Sequence, residues 1–302
     1  MSRSPSSRAS RTRRVTAISL TSLLAATAAL TGLTGTASAA PTSAVAKAQK
    51  LALSGVISEI NDWSCEPSEG QEPVVLIHGT FGFKKAAQAR DRWSVMGRVL
   101  KDEGRCLYAL EYGTNWLGTM GVKDIRDSAK QLATFVDGVK AATNASKVDL
   151  VGYSQGGLVA RSYLKDRDGA RSVDDLVTLG TPNRGTDTTS AWWGSWVYKA
   201  VDQMMPDSDF LKKLNKGGEL MPGVSYTALA TPEDGVVTPF TSAYLHGPTE
   251  QLTNATVPSI PGSDEEPHTE FCANPAAVQW VREALRSPGP ANPYFKPVGT
   301  LA

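Results

Sequence analysis

The 302-residue chain has only three cysteines and three histidines, and its charges almost cancel, with 31 basic against 30 acidic residues. Cys65, Cys106 and Cys272 are too widely spaced for a zinc-binding pattern. No basic stripe marks a nucleic-acid surface. There is no internal repeat and no low-complexity linker, so solenoids and tethered modules are excluded. Beyond the N-terminus no apolar run is long enough to span a bilayer. With so few histidines, any proton-transfer chemistry has a short list of candidate bases.

The first 39 residues read as a secretory signal. Arg3, Arg8, Arg11, Arg13 and Arg14 form a positive segment without an acidic residue, followed by an Ala/Leu/Thr-rich stretch from Val15 to Leu33. Ala37-Ser38-Ala39 supplies the small residues of a cleavage site. A membrane anchor is the competing reading, disfavoured by the many threonines and the A-x-A site. Thr12-Arg13-Arg14 is a weak hint of twin-arginine export. Without the five arginines the mature chain has 26 basic and 30 acidic residues, a net charge of −4. Export to an oxidising compartment makes one disulfide and one leftover thiol the simplest arithmetic for three cysteines.

Residues 40–60 are expected to begin as a flexible arm, and 61–302 to form one catalytic domain. Val74-Val75-Leu76-Ile77 reads as a strand buried on both faces. Further strands are expected at Cys106–Leu110, Val148–Val151, Val173–Leu179, Val224–Leu229 and Leu252–Val257. Helices are expected over Arg92–Lys101, Val122–Ala142 and Leu158–Lys165, with another at the C-terminus. Alternating strands and helices predict an α/β fold with a mostly parallel central sheet covered on both faces. Asn183–Pro222 is too long for a plain crossover and should carry helices of its own.

Gly152-Tyr153-Ser154-Gln155-Gly156 matches G-x-S-x-G between an expected strand and an expected helix, the setting of a nucleophile elbow. An ordinary glycine-rich turn is the competing reading. A serine hydroxyl becomes a useful nucleophile only when a base takes its proton. In folds with this elbow the order along the chain is serine, acid, histidine. Between Asp234 and His268 a helix and a strand both fit; between Asp234 and His246 they do not. His268 is therefore preferred to His246, and His78, upstream of the serine, is assigned a structural role. Asp234, beside Gly235 and ahead of Val236-Val237, is the preferred acid, with Glu233 the fallback. Asp264, Glu265 and Glu266 read as solvent-facing loop charges. The backbone N–H of Gln155 and the loop His78-Gly79-Thr80-Phe81-Gly82 are the candidate oxyanion donors, with Thr80 able to contribute its hydroxyl.

The His78-Gly79-Thr80 loop, the Gly152–Gly157 elbow, Thr181-Pro182-Asn183-Arg184-Gly185-Thr186 and the turn from Thr231 to Pro239 together resemble secreted bacterial triacylglycerol lipases and esterases of the α/β-hydrolase superfamily. Ser208-Asp209-Phe210-Leu211 with Leu214-Asn215 adds to the likeness, which runs from about Trp63 to the last helix. The resemblance implies Ser154 as nucleophile, Asp234 as acid, His268 as base, and Thr80 and Gln155 as oxyanion donors. It also implies a Cys65–Cys106 disulfide, and leaves Cys272 without an obvious partner. Glu265 to Glu270 is more acidic than many such relatives.

Trp192, Trp193 and Trp196 in the insertion 183–222, with Phe81, are candidate substrate-binding residues. They either border an acyl pocket or lid, or sit in a helix pair packed on the body. The expected reaction is hydrolysis of acyl esters, triacylglycerols foremost, with transient contact at a lipid interface. A short-chain esterase or polyesterase is the alternative, and a catalytically silent lipid-binding module the reading from another class. This chemistry calls for no cofactor and no metal.

Overall fold

The computed structural model describes residues 42–52, 60–82, 86–190 and 197–298. The expected signal segment and the three insertion tryptophans lie outside them. Among the described residues no helix is long and apolar enough to cross a membrane.

Six strands form one sheet: β1 (Val74–Ile77), β2 (Leu107–Leu110), β3 (Val148–Tyr153), β4 (Val173–Leu179), β5 (Ser225–Ala230) and β6 (Leu252–Thr256). Their spatial order is β2-β1-β3-β4-β5-β6, and every neighbouring pair is parallel. β1, β2 and β3 are buried along their whole length. That is why β1 and β2 read as continuous apolar runs rather than alternating ones, while β3 departs from that only at the buried, Arg105-paired Asp149 and at Gly152.

The strand period of two then sorts side chains onto two cores. Val75, Ile77, Tyr108 and Leu110 face one layer, built by α3 (Ile125–Thr143) and α4 (Gln155–Asp166). Val74, Leu76, Leu107 and Ala109 face the other, built by α2 (Ala86–Asp102) and the C-terminal helix Pro275–Ala284. Helices therefore cover both faces, as expected.

Local signals explain most boundaries. Asp124 caps α3 by accepting from Arg126 N–H, and Asn144 ends it in the left-handed conformation. Helix α2 starts six residues before the expected Arg92. Helix α4 starts at Gln155 rather than Leu158, because the elbow fixes its first turn despite two glycines. Within the expected flexible arm, α1 (Ser43–Gln49) is helical, with Val45 and Ala48 buried. A Cβ on Gly138 of α3 would stand 2.1 Å from the Ala48 Cβ, so α1 sits directly on that glycine.

The insertion carries the short helices α5 (Lys199–Gln203) and α6 (Asp209–Asn215). Ala200, Val201, Met204, Phe210, Leu211 and Leu214 are buried in the same core as α3 and α4. The described part of the insertion is thus packed on the body. Arg161 of α4 is buried beneath it, with Nη1 donating to Asn183 Oδ1 at 3.2 Å and Nη2 to Asn215 Oδ1 at 2.7 Å. Burial brings the Arg161 pKa down to about 10.

Cys65 and Cys106 form a disulfide with Cα atoms 5.7 Å apart, while Cys272 is buried and stands outside that bridge. At the opposite end of the sheet from the site, Glu72, Asp149 and Asp174 place carboxylates within 4.8 Å of one another. Arg105 pairs with Asp149 and Lys147 with Asp174, so ion pairs account for two of the three. Burial and the neighbouring Asp149 push the Asp175 carboxyl up to about 9.

Candidate active site

The turn from β3 into α4 holds Ser154 at φ 52°, ψ −124°. That is a costly conformation for a residue with a side chain, and surrounding contacts must impose it. The Ser154 N–H donates to Leu179 O at 2.8 Å, and its carbonyl accepts from the Thr181 hydroxyl at 2.8 Å. The flanking glycines are required by close approach. A Cβ on Gly156 would lie 2.3 Å from Ile77 O, and one on Gly152 2.6 Å from Gly157 N. The motif's residue choice is therefore steric.

Asp234 follows β5 and His268 follows β6, so parallel neighbours bring both to the end of the sheet where β3 delivers Ser154. His268 Nε2 is 3.0 Å from Ser154 Oγ. His268 Nδ1 is 2.8 Å from Asp234 Oδ2. The second oxygen, Oδ1, accepts from Val236 N–H at 2.8 Å and Val237 N–H at 2.7 Å. All three side chains are buried. With Nδ1–H committed to the carboxylate, Nε2 is left as the acceptor facing the hydroxyl, the tautomer that proton abstraction needs.

The competing residues lie elsewhere. Glu233 is exposed and accepts from the Thr231 hydroxyl at 2.8 Å. His246 is exposed and contacts Arg184 and Glu219. Glu266 is exposed as expected, yet its Oε1 accepts from Gly235 N–H at 2.9 Å and His268 N–H at 3.3 Å.

The loop after β1 borders the serine. Gly79 is so close that a Cβ there would meet the Ser154 Cβ at 3.0 Å. Gln155, the first residue of α4, has a backbone N–H in the first turn, where no intrahelical acceptor exists. Its buried side chain donates from Nε2 to Gly121 O at 3.0 Å and to Thr80 Oγ1 at 3.2 Å. The Thr80 hydroxyl also lies 3.8 Å from Met204 Sδ. Phe81 is half-buried at φ 62° and meets Tyr198 edge-on, ring centres 5.6 Å apart.

His78 is fully buried, stacked on Tyr112 at 4.0 Å, with Nδ1 2.8 Å from Gly79 O. Burial lowers its pKa to about 4, so it is neutral and supports the loop. Tyr112 donates its hydroxyl to His78 O at 2.5 Å and approaches Gln155 Oε1 at 3.1 Å. Nothing in the sequence around Tyr112 or Glu266 singles them out. Their roles arise from tertiary neighbours.

The sheet order, the elbow after β3 and the sequence order serine, acid, histidine define an α/β hydrolase. Residues 71–281 match the model of the lipase (class 2) family, and the chain belongs to that family. It is 35% identical over 115 residues to a triacylglycerol lipase of Pseudarthrobacter phenanthrenivorans, covering 38% of this chain and 34% of that one. A triacylglycerol lipase of Burkholderia plantarii is also 35% identical over 115 residues, covering 38% and 30%. The match therefore spans about a third of these relatives' own length. Among solved structures, Aspergillus fumigatus lipase B superposes with a TM-score of 0.61 at 20% identity, covering 79% of this chain and 56% of that one. A Bacillus licheniformis lipase in its mature form gives 0.53 at 19% identity, covering 73% and 94%. At such identities these two likenesses concern the fold alone.

Proposed function

We propose that the protein is a carboxylic ester hydrolase working through an acyl-enzyme on Ser154. His268 takes the hydroxyl proton as Ser154 Oγ attacks the ester carbonyl, and passes it to the leaving alcohol. Asp234 fixes the imidazole and stabilises its charged form. A water activated by the same His268 then attacks the acyl-enzyme and releases the acid. The backbone N–H of Gln155 and the Thr80 loop are the proposed donors to the tetrahedral oxyanion. The observation that carries the reading is the unbroken line of contacts from Ser154 Oγ through His268 to Asp234, at 3.0 and 2.8 Å.

Triacylglycerols are the proposed substrates, on the strength of the likeness to triacylglycerol lipases. Phe81, Trp192, Trp193 and Trp196 are the proposed contacts for the acyl chain or its lid. Export through the segment 1–39 is part of the same proposal, and the Cys65–Cys106 disulfide suits an oxidising compartment. A second reading, an esterase with an open site and no interfacial activation, is favoured by the burial of α5 and α6 against the body.

Hydrolysis of short and long p-nitrophenyl esters by wild type and Ser154→Ala, with triolein emulsion assayed in parallel, tests the proposal. Cleavage of triolein that disappears in Ser154→Ala supports the lipase. Cleavage of the short ester alone supports the esterase. Wild-type activity in Ser154→Ala overturns the mechanism.

A further inference from the structure

Among the described residues, large apolar side chains left in water are few, and three of them are together. Trp116 is 90% exposed, Leu117 64% and Val197 51%, and all three border one depression of about 510 Å³. An indole exposed to that degree on a rigid support invites an explanation.

The support is rigid because its hydrogen bonds are closed. Asn115 N–H donates to Thr119 O at 2.9 Å, and Gly118 N–H to Asn115 O at 3.0 Å. Asn115 Oδ1 accepts from Leu117 N–H at 3.0 Å and Thr119 N–H at 2.9 Å. Gly118, at φ 77°, makes the reversal that only glycine adopts readily. Trp116 and Leu117 are thereby fixed at the tip of a closed turn.

The base of that turn meets the catalytic entrance. Met120 bridges to Phe81 as an antiparallel pair. The Gly121 carbonyl accepts from Gln155 Nε2 at 3.0 Å, and a Cβ on Gly121 would meet Gly79 O at 2.9 Å. Tyr198, next to Val197, meets the Phe81 ring edge-on. The tip thus projects from the same loops that border Ser154.

We propose that Trp116 and Leu117 form an anchor that inserts into a neutral lipid surface and brings the catalytic entrance down onto it. The proposal rests on the reading that the substrate is presented at an oil–water surface. Two side chains on a narrow tip cover far less than the roughly 800 Å² per partner of a stable protein interface. A fluid surface, in contrast, closes around a tip of any shape. Tryptophan, with an apolar body and a polar N–H, suits the boundary between acyl chains and headgroups. Most charges around the depression are paired, Asp124 with Arg126, Asp127 with Lys130 and Lys199 with Asp202, and Lys123 is the one lining charge in no ion pair. Among the described residues lining the depression, a single unpaired lysine is too little charge to make the surface select an anionic membrane.

The test uses the mature protein with Trp116→Ala/Leu117→Ala. Sedimentation with phosphatidylcholine vesicles is measured in a Ser154→Ala background, and activity on soluble p-nitrophenyl butyrate and on triolein emulsion in the Ser154 background. The proposal predicts a loss of vesicle partitioning of about tenfold or more. It also predicts soluble-ester kcat/KM within about twofold of wild type, a triolein rate reduced at low interfacial area and restored at high area, and little dependence on salt. Equal partitioning of variant and parent, with triolein still cleaved, overturns the anchor and leaves the lipase reading intact. A parallel loss on the soluble ester also overturns it, because the turn then acts on the site itself. Dimerisation lost in the variant, seen by light scattering, assigns the tip to a second copy and overturns it too. A wild type that cleaves only the soluble ester and binds no vesicles removes the lipase reading and the anchor together, with the ester-hydrolase chemistry standing.

Discussion

Glu266 holds Gly235: its carboxylate accepts the Gly235 N–H at 2.9 Å across a separation of 31 residues. The same oxygen caps the short helix Pro267–Glu270 through His268 N–H. One exposed side chain therefore ties the turn bearing the proposed acid to the helix bearing the proposed base. The two loops leave the adjacent strands β5 and β6.

Glu266 is accordingly a positioning residue. Glu266→Gln keeps an oxygen acceptor and should retain kcat within about threefold, whereas Glu266→Ala should lower kcat by about 10- to 100-fold with KM little changed. Steady-state kinetics on a soluble ester reads both. Equal losses in the two variants, or none in Glu266→Ala, would contradict the assignment.

Asp234→Asn preserves shape but exchanges an acceptor-only carboxylate for an amide. The His268 tautomer is then no longer fixed with Nε2 free. A fall in kcat of about 10⁴ is expected, with the fold unchanged by circular dichroism. A fall below tenfold would move the acid role elsewhere, Glu233 being the nearest carboxylate in sequence.

The disulfide closes a loop between residues 41 apart in sequence. Loop-closure entropy for that length gives about 4 kcal/mol of stabilisation. Cys65→Ser/Cys106→Ser should lose a substantial part of this in urea denaturation, while activity at low denaturant persists because neither cysteine touches the site. An unchanged midpoint would show that the bridge constrains little.

His78 carries a pH signature. Its folded pKa of about 4 lies below the ordinary 6.5 because burial disfavours the imidazolium. The unfolded chain therefore takes up the proton first as the solution is acidified. The associated stability is complete above pH 6.5 and is lost as pH falls from 6.5 to 4, by up to about 3 kcal/mol. Imidazole resonances of the three histidines should include one that stays neutral at pH 5. Ordinary titration of all three near pH 6.5 would contradict this.

The parts legible in the sequence share a physical reason. Val74–Ile77 is readable because a strand buried on both faces needs an unbroken apolar run. The serine, acid and histidine were readable because a parallel sheet delivers successive loops to one end, which makes chain order a spatial constraint. Glu266 reads as a loop charge in the sequence because its partners are backbone N–H groups 31 and 2 residues away, and no local pattern announces such an acceptor. Arg161 gave no signal either: a cationic residue in a helix reads as solvent-facing, and only the insertion folded over it supplies the oxygens that let it be buried. Helix α2 is longer than its sequence signal because Ala86 to Asp91 lacks the apolar periodicity by which helices are found.

The account turns on Ser154 as the nucleophile. Incubation of the folded protein with a fluorophosphonate, followed by peptide mass spectrometry, reads that directly. Covalent phosphonylation confined to Ser154, and abolished in His268→Ala under the same conditions, is the predicted result. An unlabelled protein that still hydrolyses esters, or a label on another residue, would contradict it.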